Sequence, residues 1–158
     1  MSMVCIAILF STGCTGESGD GSSKTDLRVS ADQFKALHWI EGRVQGSGGK
    51  QPFFEIYSFL NDSTIEIDYY GQDSTFTNSL GKGNVHLAKG IVYHEYYEGG
   101  VWVADKFDSS SIHFVPLRDA STTFLWEKAE DGAWKATLWW TNDQGEQTEN
   151  TYSMEPVQ

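Results

Sequence analysis

What most constrains this chain is a strict alternation of apolar and polar residues, repeated in short runs. Thr64-Ile65-Glu66-Ile67-Asp68-Tyr69-Tyr70 places Ile65, Ile67 and Tyr69 on one face and Thr64, Glu66 and Asp68 on the other. In the run 134–140, Trp134, Ala136, Leu138 and Trp140 share the inward face and leave Lys135, Thr137 and Trp139 outward. Thr148, Asn150, Tyr152 and Met154 oppose Gln147, Glu149, Thr151 and Ser153 near the C-terminus. A period of two with one polar face is what a half-buried antiparallel strand requires. Further runs lie at 53–60, 75–80, 84–88, 91–96, 101–107, 112–117 and 122–126. Between runs stand Asn61-Asp62, Glu98-Gly99-Gly100, Asp131-Gly132 and Asn142-Asp143-Gln144-Gly145, which tolerate the positive φ of tight turns. Strands recurring every ~8–12 residues with short links predict an all-β domain. Its expected form is an antiparallel up-and-down barrel of about 8–10 strands, closed so that no edge is exposed.

One short helix is expected ahead of the strands. Ser30 is a suitable N-cap, and Gln33 occupies the matching position of a capping box. A helix over about 31–37 would set Phe34, Leu37 and His38 on one side, a spacing suited to covering an open end of a barrel.

The N-terminal segment has a different character. Val4-Cys5-Ile6-Ala7-Ile8-Leu9-Phe10 is apolar but far short of the ~20 residues that span a bilayer as a helix. It has about the length of a signal-peptide core. Ser11-Thr12-Gly13-Cys14 follows and resembles the bacterial lipoprotein signal, in which small residues lead into a cysteine that becomes the lipidated first residue. The resemblance implies a signal peptide over 1–13 and a lipid on Cys14, carrying a diacylglyceryl group and usually a third acyl chain. Residues 14–29 are Gly- and Ser-rich at their start, lack an apolar period and read as a flexible tether. The barrel domain is placed at 30–158. The expected location is the bacterial cell envelope, with the membrane reached through the lipid anchor only.

Both cysteines, Cys5 and Cys14, precede the domain, which therefore has no disulfide, thiolate metal site or cysteine nucleophile. A net charge of −11 repels phosphate backbones, so nucleic acid is not an expected partner. A monomer is expected. Six Trp give a chain this small ample core without disulfides.

Phe34-Lys35-Ala36-Leu37-His38-Trp39-Ile40-Glu41-Gly42-Arg43-Val44 resembles the opening of small bacterial lipocalin-like (calycin-like) lipoproteins of unknown function. Their pattern is a short helix running into Leu-x-Trp-Leu-x-Gly-x-Trp and then a strand with an aromatic-Glu pair. Leu37, Trp39, Ile40 and Gly42 match the first element, and Phe54-Glu55-Ile56-Tyr57 matches the second. Val44 stands where the family places Trp, and Trp39 is then expected to fill the barrel floor. The resemblance implies a lipocalin-type barrel.

Trp39, Tyr57, Tyr69, Trp102, Trp126, Trp134 and Trp140 are the candidate ligand-binding residues, with Phe124 beside them. Ligand pockets are mostly apolar with a few polar groups, and barrels of this size hold one small ligand. The competing reading is that these rings fill the barrel as core. Glu41, Glu55 and Glu66 have no spacing that makes them meet and read as solvent-facing or barrel-end groups. His38, His86, His94 and His113 read as exposed or hydrogen-bonded strand residues. The segment His94-Glu95-Tyr96-Tyr97-Glu98 lacks the second His of a zinc-protease motif. Nitrobindin-like haem barrels open with a similar pattern but use a His near the chain end, whereas the last His here is His113. Gly46-Ser47-Gly48-Gly49-Lys50-Gln51 lacks two positions of a phosphate loop and reads as a hairpin. No catalytic residue, metal or cofactor is expected.

Two readings remain. In the first, a lipid-tethered barrel binds a small apolar or amphipathic molecule. In the second, the barrel is solid and docks another envelope component through an outer face that includes Trp139. An empty volume of roughly 300–1,000 Å³ inside the barrel would favour the first.

Overall fold

The structure, a computed structural model, describes residues 27–157. The leader, Cys14 and most of the tether lie outside the described residues. Ten strands follow one another: β1 (Gly42–Ser47), β2 (Phe53–Asn61), β3 (Thr64–Gly71), β4 (Gly81–Ala88) and β5 (Ile91–Tyr96), then β6 (Gly99–Phe107), β7 (Ser111–Arg118), β8 (Thr123–Lys128), β9 (Trp134–Thr141) and β10 (Gln147–Pro156). Each pairs antiparallel with its neighbour in sequence, and β1 pairs with β10 from Val44–Pro156 to Ser47–Ser153, closing the barrel. Closure leaves no strand edge unpaired.

Alternation places the core as the sequence predicts for the central strands. Ile65 and Ile67 of β3 are fully buried, as are Ile112 and Phe114 of β7 and Val85 of β4. The pairing of β9 with β10 runs without a break from Trp134–Met154 to Trp140–Thr148. Trp134 and Ala136 are buried, while Leu138 and Trp140 become progressively more peripheral towards the end of the strand. Trp140 therefore shares the inward side of Trp134 but is only half-buried at the rim. Trp139, on the outward side, donates from its indole N–H to Glu149 Oε2 at 2.8 Å.

The helix is shorter and tighter than expected. The capping box forms: Ser30 Oγ accepts from Gln33 N at 3.2 Å, and Gln33 Oε1 accepts from Ser30 N at 2.8 Å. Only Ala31–Phe34 is α-helical, and Lys35–Ile40 continues as a 3-10 turn. Residues three apart are stacked in a 3-10 helix. The fully buried positions are accordingly Phe34, Leu37 and Ile40, which plug one end of the barrel. His38, expected on the buried side, is exposed and stacks on Phe59 with ring centroids 3.8 Å apart. The packed domain also takes in residues placed in the tether. Val29 is buried and its N–H donates to Gly90 O at 2.8 Å, in the turn between β4 and β5.

The strand expected at 75–80 does not form. The Asp73 carboxylate accepts from the backbone N–H groups of Thr75, Thr77 and Asn78, which a strand would have offered to a neighbour. The Thr75 hydroxyl first, then these amides, hold the Asp73 carboxyl well below the usual carboxylate range. Phe76 sits at φ +54°, and its ring packs edge-on against Phe54 and Tyr70 at 5.7 and 5.3 Å. The loop thus covers outward-facing Phe54, and its Thr-Phe-Thr pattern only imitates a strand.

Candidate ligand-binding cavity

The barrel is not solid. A cavity of about 310 Å³ occupies the half away from the helix. Its floor is three rings that meet edge to face: Tyr57 of β2 lies 5.8 Å from Trp126 and 5.4 Å from Trp134, and the two Trp rings are 5.4 Å apart. Edge-to-face contacts of this kind hold rings in fixed orientation. Trp134 is fully buried, and its indole N–H has no hydrogen-bond partner among the described residues. Above the floor stand Trp102 and Phe124, with Trp102 Nε1 donating to Thr122 O at 2.7 Å.

Two inward positions carry glycine, and each admits a large ring. Phe53 lies across Gly46, where a Cβ would come within 2.1 Å of its ring. Tyr69 lies over Gly83, where a Cβ would stand 2.3 Å from Glu95 O and 3.1 Å from the Tyr69 hydroxyl. The rings so placed line the cavity wall. Tyr69 in turn packs against Tyr96 and Tyr97, at 4.8 and 5.2 Å.

The polar content of the cavity is concentrated in β2, β3 and β5. Glu55 accepts a hydrogen bond at Oε2 from the Tyr57 hydroxyl at 2.6 Å. Glu55 is half-buried on the cavity wall, and the protein atoms packed around its carboxyl lift its pKa by desolvation from 4.5 to about 7, against the opposing pull of the Tyr57 hydrogen bond. Burial, with the Glu55 charge as the next cause, pushes the Tyr57 and Tyr69 hydroxyls well above the ordinary tyrosine range. His94 is buried among rings, with Trp102 and Phe124 both 5.3 Å away. Its Nε2 is 3.4 Å from the Tyr69 hydroxyl, and its Nδ1 has no partner among the described residues. Desolvation lowers its pKa from 6.5 to about 3, so the ring is neutral at physiological pH.

Five of the seven sequence candidates meet here: Tyr57, Tyr69, Trp102, Trp126 and Trp134. Two do not line the cavity. Trp39, held on the 3-10 turn, packs edge-on at 6.1 Å against Trp134 and supports the floor from below. Trp140 borders a shallow depression at the rim with Gly49, Lys50 and Glu149. Glu55, expected as a solvent-facing charge or a barrel-end acceptor, is a half-buried acceptor on the cavity wall, because period two puts it on the same side as Tyr57. His94 is neither exposed nor fully hydrogen-bonded, because it shares the inward parity of Val92. Alternation along 53–57 and 91–96, with Tyr57 and Val92 buried, is the signal that could have found both. Glu41 and Glu66 do lie towards solvent, where Glu66 takes an ion pair from Lys82 at 2.6 Å. His113 contacts Asp105 on the outer face, and His86 contacts Asn84. Among the described residues no group of three or more His, Cys, Asp or Glu comes together to hold a metal, and no helix is long and apolar enough to cross a membrane.

The sequence matches no protein-family model, and no curated protein is similar to it. The functional reading therefore rests on the geometry of the cavity.

Proposed function

We propose that the protein is a cell-envelope lipoprotein, anchored by lipid on Cys14, whose barrel binds one small amphipathic molecule. The observation that carries the binding reading is the cavity of about 310 Å³, walled by aromatic rings and holding a few polar groups on one side. That volume falls at the small end of the roughly 300–1,000 Å³ usual for small-molecule sites. A barrel whose task was only to present an outer surface would gain stability by filling this space. Apolar rings on one side with Glu55, Tyr69 and His94 on the other match a ligand with an apolar body and one polar end. The resemblance of residues 34–44 and 54–57 to lipocalin-like lipoproteins supports the same reading.

The test of binding is native mass spectrometry of protein purified from its own host, together with titration by the neutral fluorophore N-phenyl-1-naphthylamine. A retained small molecule, or saturable one-to-one binding weakened about ten-fold or more by Leu138→Trp, is the expected result. Binding that is absent, or unchanged when Leu138→Trp fills the lip, would sink the reading. The anchor is tested separately: Cys14→Ser should move the protein from the membrane to the soluble envelope fraction.

A further inference from the structure

Among the described residues the cavity has one acidic group and no Lys or Arg to match it: Glu55 is the only carboxylate among them on the cavity wall. The two basic side chains nearest in sequence lie outside the wall: Lys50 is exposed beside the rim depression, and Arg43 holds its guanidinium 5.2 Å over the Phe76 ring. Titratable groups that face Glu55 are the hydroxyls of Tyr57 on its own strand, Tyr69 on β3 and Tyr96 on β5, with His94 beyond Tyr69. None of these is a cation at neutral pH. Among the described residues the carboxyl therefore has a single hydrogen-bonding neighbour, Tyr57, and it shares the cavity wall with aromatic side chains.

An unpaired carboxylate among apolar groups is costly, and it is neutralised either by a proton or by a counter-cation. Aromatic faces add attraction for a cation, because the ring quadrupole presents negative charge to it. Long-range charge acts in the same sense, since the chain carries a net charge of −11. Resting on the ligand-binding reading above, we propose that the cavity selects a protonated nitrogen base on a flat apolar body, such as an arylalkylamine, with Glu55 as its counter-ion. The ammonium group would take the free side of the carboxylate, and the aryl body would lie against the Trp126 and Trp134 floor. Binding then displaces the proton that Glu55 holds in the empty cavity, so each ligand taken up near neutral pH releases a fraction of a proton.

The experiment is isothermal titration with three matched probes: tryptamine (cation), tryptophol (neutral) and indole-3-acetate (anion). At about pH 8, tryptamine should bind about ten-fold or more tighter than tryptophol, and indole-3-acetate weakest of the three. Lowering the pH to about 5.5 should shrink the preference for tryptamine, because protons then compete for Glu55. Repeating the tryptamine titration near pH 7 in two buffers of different ionisation enthalpy should show proton release. Glu55→Gln, its fold verified by near-UV circular dichroism, should bring tryptamine to within about three-fold of tryptophol. Equal affinity of tryptamine and tryptophol at pH 8 would overturn the inference while leaving a ligand-binding cavity intact. Tightest binding of indole-3-acetate, or a preference for tryptamine that survives both low pH and Glu55→Gln, would overturn it too. Failure of all three probes to bind overturns it as well, and the naphthylamine titration then decides the wider reading independently.

Discussion

Replacing Glu55 by Gln isolates the energetic consequence of enclosing a carboxyl in this barrel. The folded protein holds that carboxyl at about 7 where its ordinary value is 4.5. Below about pH 4.5 both folded and unfolded chains carry the proton, and ionisation contributes nothing to stability. Between about pH 4.5 and 7 the unfolded chain gives up the proton and the folded chain keeps it. The folded state then binds more protons, so stability falls as pH rises, and the loss is complete above about pH 7. At about 1.4 kcal/mol for each pH unit, the interval amounts to about 3 kcal/mol. Gln has the shape of the protonated acid and cannot ionise. The variant should match wild type near pH 4 and exceed it by up to about 3 kcal/mol near pH 8, a difference on the order of 10 °C in Tm for a domain of this size. Urea unfolding at pH 4, 5.5 and 8 measures the difference directly. A difference that stays flat from pH 4 to 8 would show the carboxyl titrating as if in water, and would refute the account of a crowded, poorly solvated site. A variant that loses stability relative to wild type as pH rises would mean the carboxylate has found a cationic partner inside the protein.

His94 should act in the opposite direction: the unfolded chain takes up a proton below about pH 6.5 while the folded ring resists until about 3, so stability is lost as pH falls through that window. His94→Phe should flatten the acid side of the stability curve between pH 6 and 4; an unchanged slope in urea unfolding would remove His94 as its source. Trp134→Ala should cost ~3–5 kcal/mol because it removes the hub of the floor, whereas Trp139→Ala forfeits mainly its bond to Glu149, worth ~1 kcal/mol. Thermal melts that reversed the two costs would put β9 out of register by one residue. Gly83→Ala should destabilise by ~1–3 kcal/mol, since its Cβ would stand 2.3 Å from a backbone oxygen of β5. Full retention of stability in chemical denaturation would mean that the β5 backbone at Glu95 does not approach Gly83 this closely.

Most of the barrel was legible because its strands bury one face only. In β3 and β9 the alternation is uninterrupted, so side chains and register follow from parity. The cavity was legible only in part. Tyr57, Tyr69, Trp102, Phe124, Trp126 and Trp134 were found, but the lining rings Phe53, Tyr96 and Tyr152 were not, and Glu55 and His94 follow the same parity but carry polar side chains, which ordinarily mark the outward face. A period of two identifies faces, and residue polarity is a weaker guide where a barrel keeps an interior space to line. Residues 75–80 misled for a different reason: a single carboxylate, Asp73, satisfies the amides that strand pairing would have satisfied. Trp39, expected at the barrel floor, does pack against it through Trp134, but it stands below the floor and so does not reach the cavity as a ligand contact.

The chain enters the domain at the plugged end, where Val29 is tied to Gly90, and the cavity lies towards the opposite end. On the proposed anchor, the thirteen steps from Cys14 to Leu27 (27 − 14) bound the distance from the bilayer to the sealed base at ~45 Å. The attachment would then be made at the base, leaving the mouth unobstructed by the chain. A molecule bound there would be able to exchange with a dissolved pool, or pass to a protein approaching from the water side, without first entering the membrane.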